Sequence, residues 1–224
     1  PGEREREQLH VRIASIAEET LEDFDEAIAA WKEVLGANRG NVLALRSLDR
    51  LFGKKGLDTE LADNLQRQLE LAQDPGDIIT LLGRLGRLRQ KMGDVPAAVE
   101  TYRRLLDIEP GHDETVAALE VILPDAGHEL ELAELLEPVY RLRSDFAKLV
   151  GVHEIQLKHA VDPRSKIARL HETATCYEDV MDDPGSAYSA LARALGEDPM
   201  DAETQQRIER LARAMGRVEM LIDR

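Results

Sequence analysis

Internal repetition is the feature that most constrains how this chain can fold. Three alanines, Ala27, Ala98 and Ala187, each precede a large apolar residue by four positions and a leucine by eight. The interval from Ala98 to Ala187 is longer than the interval from Ala27 to Ala98. The pairs that repeat the full interval from Ala27 to Ala187 are Gly56 with Gly216, Leu48 with Ile208, Leu51 with Leu211, and Leu61 with Leu221. Repetition on this scale predicts a tandem array of similar units.

The repeated unit has the pattern of a helical hairpin, which is clearest between Thr80 and Pro110. Leucines recur there at helical spacing, a turn follows at 92–94, and a second apolar run ends before Pro110. The chain is 43% hydrophobic but only 4% aromatic, a balance that favours helices over strands. Because two short amphipathic helices cannot bury their apolar faces alone, each hairpin needs neighbours of the same kind.

The middle unit is longer than the first by the length of one short helix, and the surplus lies between His112 and Glu131. The pattern there predicts a short helix ending near Ile122, a break at 123–127 and a helix over 130–142. Pro138 is expected to kink that helix or to mark its first turn. The whole chain is interpreted as one array with units at about 5–74, 75–162 and 163–224.

These residues resemble the tetratricopeptide-repeat family. The central hairpin fits its pattern best, at Leu82, Leu85, Gly86, Ala98, Tyr102 and Pro110. The third unit fits at Leu170, Ala174, Tyr177, Ala187 and Pro199, with an inter-helix turn one residue longer, and the first unit fits at Ala14, Ala27 and Trp31. The resemblance implies an all-α, right-handed α-solenoid of antiparallel helical hairpins, forming a tetratricopeptide-like superhelix.

The resemblance also implies roles for individual side chains. Gly86 and Ala98 would be small where paired helices approach closely, and Tyr102 would fill the gap to the next hairpin. In this family, side chains of the first helix of each hairpin line a groove that binds partners. Carried onto this chain, the groove residues are Thr80, Arg84, Arg87, Gln90 and Lys91 in the central unit, His171, Thr175 and Glu178 in the third, and Gln8, Ser15, Glu18 and Glu19 in the first.

The central unit also holds the one concentration of basic residues in the sequence. Its members are Arg84, Arg87, Arg89, Lys91, Arg103 and Arg104. Two interpretations remain open: a solvated helix face whose cations pair with acidic neighbours, or a local patch that receives an acidic peptide or a terminal carboxylate.

The overall charge argues against two classes of partner. Asp and Glu outnumber Lys and Arg by 44 to 29, which leaves a formal net charge of −15. Nucleic acids and anionic membrane surfaces both attract concentrated positive charge, so neither is expected as a partner. The same charge argues against RNA binding by helical repeats. No apolar run approaches the roughly 20 residues that a membrane-spanning helix needs.

The sequence offers no recognisable catalytic, cofactor-binding or metal-binding set. Cys176 is the single cysteine and is expected to be a small buried apolar residue. His153-Glu154 and His171-Glu172 begin like a zinc-protease motif but lack the second histidine, so the histidines are expected at surfaces or interfaces. Acidic clusters near 22–26 and 178–183 stand where helix caps are needed.

The expected function is therefore that of a non-catalytic interaction scaffold that binds a peptide or protein segment in its groove. The alternative is an all-helical ligand-binding or enzymatic domain with an unrecognised pocket. The chain starts at Pro1 without Met and its helical pattern is unfinished at Arg224. It is interpreted as a piece of a longer, bacterial, cytoplasmic multi-repeat protein. The sequence leaves the partner's identity and the oligomeric state open.

Overall fold

The computed structural model describes residues 3–124 and 127–216, and twelve α-helices lie within them. In chain order these are α1 (Glu3–Glu19), α2 (Phe24–Ala37), α3 (Val42–Lys55), α4 (Asp58–Leu71), α5 (Pro75–Lys91), α6 (Val95–Ile108), α7 (Asp113–Ile122), α8 (Glu129–Arg143), α9 (Phe146–His159), α10 (Pro163–Thr175), α11 (Pro184–Glu197) and α12 (Ala202–Ala214). A π-helical turn at Cys176–Val180 follows α10. The prediction that the helical pattern continues through Leu221 lies outside the described residues.

The chain divides into two compact units, Pro1–Ala118 and Leu119–Arg224. In the first unit α1 packs on α2, α3 on α4, and α5 on α6. In the second unit α8 packs on α9, α10 on α11, and α11 on α12. The predicted all-α architecture of helical hairpins is thus confirmed. Within the described ranges, no helix combines the length and the apolar character needed to cross a membrane.

Each hairpin turn places one residue in the left-handed region of the backbone. Glu22, Gly93 and Asp182 have φ values of 52°, 78° and 50°, and they are spaced like the three alanines of the repeat. Gly56 and Ser144 play the same part in the α3–α4 and α8–α9 hairpins, with φ values of 66° and 55°, and Gly216 has a φ of 66° just after α12. A left-handed residue ends a helix and reverses the direction of the chain within a short turn. The sequence repeat is therefore accompanied by a repeat in backbone conformation.

The longer turn predicted in the third unit has a definite structural form. The first helix of that hairpin runs beyond Thr175 into the π-helical turn, where the Met181 amide donates to the Cys176 carbonyl at 3.1 Å. A π-type turn is the usual way for a helix to absorb one extra residue without losing its hydrogen bonds. The paired helices therefore keep their register despite the insertion.

Asp and Asn side chains begin most of the helices. Asp23 accepts a hydrogen bond from the Glu26 amide at 3.1 Å, and Asp183 accepts one from the Ser186 amide at 3.0 Å. The same cap occurs at Asn41, Asp74, Asp94, Asp145, Asp162 and Asp201. Each cap satisfies an amide that the helix leaves free. The predicted capping role of the two acidic clusters is confirmed at these two aspartates, and capping accounts for part of the acidic excess.

The segment between the repeats follows the predicted pattern. The short helix α7 ends at Ile122, and α8 begins at Glu129. Pro138 lies inside α8 and not in its first turn. Its missing amide is therefore tolerated within a continuous helix.

Gly86 and Tyr102 form the closest contact of the central hairpin. A methyl group added to Gly86 would lie 2.3 Å from Tyr102 Cε1, so only glycine leaves room for the ring. The Tyr102 hydroxyl donates to Gln90 Oε1 at 3.0 Å, and burial raises the pKa of Tyr102 to about 12. The predicted tight approach at Gly86 is confirmed. The ring of Tyr102 lies against the first helix of its own hairpin, and the expectation that it also fills the gap to the next hairpin stays a prediction.

Replacing Gly86 with alanine tests this contact. We expect Gly86→Ala to lower the free energy of unfolding by about 1–3 kcal/mol, because the ring must move to admit the methyl group. Gly83→Ala is the matched control: it lies on the same helix, and its added carbon would meet Leu105 at an ordinary 3.7 Å. Its better helix propensity is worth up to about 1 kcal/mol. Urea unfolding of both variants checks the prediction, and equal effects would contradict it.

Candidate functional site

Three predicted groove residues of the central unit lie together. Arg84, Arg87 and Lys91 line a concavity of about 320 Å³ whose apolar side is formed by Leu61, Leu65 and Leu88. The other two predicted residues do not line it: Thr80 donates to the Gly76 carbonyl at 2.9 Å, and Gln90 accepts from Tyr102. The structure thus brings three of the five predicted residues to one surface.

The cations of this surface are already paired within the chain. Arg84 binds Asp49 through two hydrogen bonds of 2.8 and 2.5 Å. These hydrogen bonds are the main reason why the pKa of Arg84 is raised. Lys91 pairs with Asp58 at 2.7 Å. Arg87 pairs with Glu114. This arrangement favours the interpretation of the basic concentration as a solvated, charge-balanced helix face.

The predicted residues of the third unit line a longer groove in the second compact unit. His171 and Thr175 border a concavity of about 460 Å³ whose apolar lining includes Leu149, Cys176 and Val180. A neighbouring concavity of about 430 Å³ contains Glu178 and shares Thr175 with the first. We call this surface the α10–α12 groove; its remaining lining residues are Arg141, Phe146, Glu172, Asp179, Glu203, Gln206, Arg207 and Arg210.

Hydrogen bonds between α10 and α12 hold the polar side of this groove. Glu178, whose side chain is only 11% exposed, accepts from Arg207 at 3.3 Å and from Arg210 at 2.7 Å. His171 Nε2 lies 2.6 Å from the Thr204 hydroxyl oxygen. The groove therefore has a fixed polar wall, and its cations Arg141, Arg207 and Arg210 are all paired with carboxylates of the chain.

A further concavity, in the first compact unit, is one that the sequence did not indicate. It has a volume of about 700 Å³ and lies between α2, α3 and α4. We call it the α2–α4 groove. It is lined by Lys32, Leu35, Gly36, Arg39, Gly40, Leu48, Phe52, Glu60, Asp63, Asn64, Arg67, Glu70 and Leu71.

The walls of the α2–α4 groove differ in net charge. Lys32 and Arg39 lie on the α2 side, whereas α4 carries Glu60, Asp63 and Glu70 together with a single cation, Arg67. Within residues 3–124 and 127–216, these six side chains form no ion pair with one another or with other groups. On α4 the acidic residues have the spacing of an ordinary solvated helix face, and so the sequence alone does not identify them as part of a groove.

The base of this groove is rigidly held. Asn64, which is 4% exposed, donates to the Leu45 carbonyl at 2.9 Å, and Gln68 donates to Asp49 at 3.1 Å. Both bonds tie α4 to α3. The apolar floor formed by Leu48 and Phe52 is thus present without a ligand.

One cluster in the second compact unit contains side chains of the kinds that bind metal ions. Ligand atoms of Glu137, His153 and Glu172 all lie within 4.8 Å of one another. The two carboxylate oxygens nearest the imidazole, however, each accept hydrogen bonds from Arg141 and Arg169 at 2.6–2.8 Å. Two cations therefore already balance the two carboxylates, and the cluster joins α8, α9 and α10 as an ion-pair network.

His153 is fully buried in this network, which corrects the expectation of surface or interface histidines at this position. The Thr173 hydroxyl donates to the Arg169 carbonyl at 2.9 Å, so it accepts a bond from His153 Nδ1–H at 3.0 Å. His153 Nε2 has no hydrogen-bond partner among the described residues. Burial, reinforced by Arg169, lowers the pKa of His153 to about 4, and the imidazole is neutral at pH 7.

Residues 81–114 match the sequence profile of the tetratricopeptide repeat. This segment covers α5 from Leu81 onward and all of α6, the hairpin in which Gly86 faces Tyr102. The chain is a tetratricopeptide-like helical-repeat protein.

Several solved tetratricopeptide structures are similar to this tetratricopeptide-like chain, and no curated protein matches it. The TPR2AB-domain:pHSP90 complex of yeast Sti1 is 18% identical, with 93% of this chain and 84% of that chain covered and a TM-score of 0.37. The MamA protein is 20% identical, with 89% and 95% covered and a TM-score of 0.38. A tetratricopeptide repeat protein from Parabacteroides merdae is 15% identical, with 95% and 88% covered and a TM-score of 0.39.

The buried histidine makes the stability of this tetratricopeptide-like protein depend on pH. Its folded pKa of about 4 lies below the ordinary 6.5, so the unfolded chain takes up the proton first as the pH falls. Stability is then lost below pH 6.5, at up to about 1.4 kcal/mol per pH unit. Hydrogen bonds to Gln156, Arg141 and Arg169 outweigh burial and lower the pKa of Glu137 to about 2, so its own loss of stability begins only below about 4.5.

We therefore expect His153→Gln to flatten the decline of unfolding free energy between pH 6.5 and 4.5, whatever its effect at pH 7. Urea titrations of the wild type and the variant at several pH values measure the two slopes. Parallel curves over that window would show that His153 does not resist protonation in the folded state.

Proposed function

We propose that this protein is a non-catalytic interaction scaffold and that the α2–α4 groove holds a segment of another protein. The observation that carries the proposal is the combination of an apolar floor with walls whose charges form no ion pair within the described part of the chain. Charged groups that are already paired within a chain offer little to a partner, since the partner must break those pairs. The charges of this groove are available without that cost.

The groove also defines the chemistry of the segment that fits it. Leu35, Phe52 and Leu71 offer contacts to apolar side chains along the middle of the groove. Acidic side chains on one flank of the segment would meet Lys32 and Arg39, and basic side chains on the other would meet Glu60, Asp63 and Glu70, which outnumber Arg67 on α4. An amphipathic helix with oppositely charged flanks has this arrangement, and helices commonly dock in grooves through such apolar stripes.

The residues predicted from the family resemblance remain a second proposed surface. His171, Thr175 and Glu178 line the α10–α12 groove, which has an apolar floor of its own. In the central unit Arg84, Arg87 and Lys91 line a smaller concavity, while Thr80 and Gln90 are proposed with them on family resemblance only. We rank these surfaces below the α2–α4 groove because their charges are largely paired within the chain.

The chemistry of Cys176 supports a non-catalytic role over the alternative of an enzymatic or ligand-binding domain. Burial raises the pKa of its thiol, so the sulfur is protonated at neutral pH and is a poor nucleophile. Cys176 packs beside Leu149 and is 8% exposed, in agreement with the predicted buried role. A cytoplasmic location is part of the same proposal.

Site-specific photo-crosslinking would decide between the grooves. A photoreactive amino acid replaces Asp63 in the α2–α4 groove, Thr175 in the α10–α12 groove, or Ser189, which is exposed on α11 outside both. We expect the partner from the source cells to crosslink at Asp63 and not at Ser189. Crosslinking only at Thr175 would move the site to the other groove, and equal crosslinking at all three would contradict binding in either one.

A pair of substitutions then measures the contribution of the floor. With the purified partner, we expect Leu71→Asp to weaken binding at least tenfold, a loss of about 1.4 kcal/mol, because a charge replaces an apolar contact. Val42→Asp is the matched control: Val42 is 53% exposed, Leu71 is 47% exposed, and each stands at the end of a helix. Calorimetric titration gives both affinities, and equal affinities would contradict the proposal.

A further inference from the structure

An apolar stripe on α1 remains uncovered in the structure. Leu9, Ile13 and Ile16 are 56%, 47% and 46% exposed. Their spacing of four and three residues places them on one side of the helix. A neighbouring face of the helix is already packed, with Ala14 and Ala17 at most 1% exposed. Helix α1 is thus apolar on two faces, of which only one is used by its own hairpin.

This stripe is unlike the other exposed apolar residues of the protein. In the part of the chain that the structure describes, α1 is the only helix with three large exposed apolar residues at helical spacing. The others stand alone or as the adjacent pairs Val42 with Leu43 and Val180 with Met181, and several, such as Val161 and Met200, lie outside the helices. Single exposed apolar residues are normal, whereas an aligned set marks a contact surface.

Charged residues beside the stripe indicate what covers it. Glu5, Arg12 and Glu19 follow one another at intervals of seven, so they flank the stripe along the same edge. Arg12 and Glu19 are exposed, and neither has an ion-pair partner within residues 3–124 and 127–216. The edge carries its positive charge between two negative ones.

We propose that the α1 stripe is a dimer interface, covered by α1 of a second copy of this chain that runs antiparallel to it. In one two-fold register Ile13 meets Ile16 of the other copy, and Leu9 meets Thr20. The same register sets Arg12 beside Glu19 of the other copy, twice by symmetry. A parallel pair would instead set like charges side by side, because identical residues would then face each other.

The contact is short, since it covers about three turns of helix between Leu9 and Thr20. An interface of this size belongs to the weak and reversible class. Dimerisation should therefore depend on concentration. It uses neither the α2–α4 groove nor the α10–α12 groove, so it is independent of the proposed function.

Sedimentation velocity of the whole chain over a wide concentration range tests the dimer. We expect the wild type to shift from monomer to dimer and Ile13→Asp to stay monomeric at every concentration. Leu43→Asp is the control, because Leu43 is also exposed on a helix of the same unit and lies outside the stripe. A wild type that stays monomeric throughout, or a Leu43→Asp variant that loses the dimer equally, would overturn the proposal.

Charge reversal tests the register itself. Arg12→Glu and Glu19→Arg should each weaken the dimer at least tenfold, because each brings two like-charged pairs together. The double variant should recover most of the wild-type affinity, since both pairs are restored with their signs exchanged. Circular dichroism confirms that each variant is folded. A double variant as weak as the single ones would overturn the antiparallel register, and single variants as strong as the wild type would overturn the role of the charged edge.

Discussion

The close approach of two helices at small residues is the contact on which each hairpin depends. Ala27, Ala98 and Ala187 are all fully buried where the second helix of a hairpin meets the first. The closest such approach in the central unit is at Gly86, where the absence of a side chain leaves room for the ring of Tyr102. Small residues let backbones come together, and large side chains beside them then fill the remaining space at high density.

Ion pairs between first helices join neighbouring hairpins within each compact unit. Arg50 on α3 binds Glu18 on α1, and Arg84 on α5 binds Asp49 on α3. In the second unit, Arg169 on α10 binds Glu137 on α8. Glu18, one of the predicted groove residues, accepts bonds from Trp31 and Arg50. Because the chain is acidic, many of its cations pair with carboxylates of neighbouring helices. A run of basic residues in the sequence therefore does not form a basic surface.

The pairing of polar groups within the chain distinguishes surfaces that stabilise the fold from surfaces that are available to partners. The predicted groove residues largely belong to the first kind, since their polar groups are bonded to neighbouring helices. The α2–α4 groove and the α1 stripe belong to the second kind. One has charges on facing walls with no ion-pair partner among the described residues, and the other has an apolar face that its own hairpin does not cover. On both surfaces, groups that have no partner within the described part of the chain indicate a binding role.

Taken alone, the sequence determined the elements of this protein. Periodicity, the three recurring alanines, and the punctuation by Gly, Asp and Pro are local signals, and from them follow the helices, the hairpin turns, the caps and the tight contact at Gly86. Only the tertiary structure decided how the polar residues are used. Whether Arg84 or Glu178 faces a partner, and whether His153 is buried, depends on side chains of other helices, distant along the chain, that the fold brings into contact. The α2–α4 groove belongs to the same class, because its depth comes from the packing of three helices and no single stretch of sequence records it.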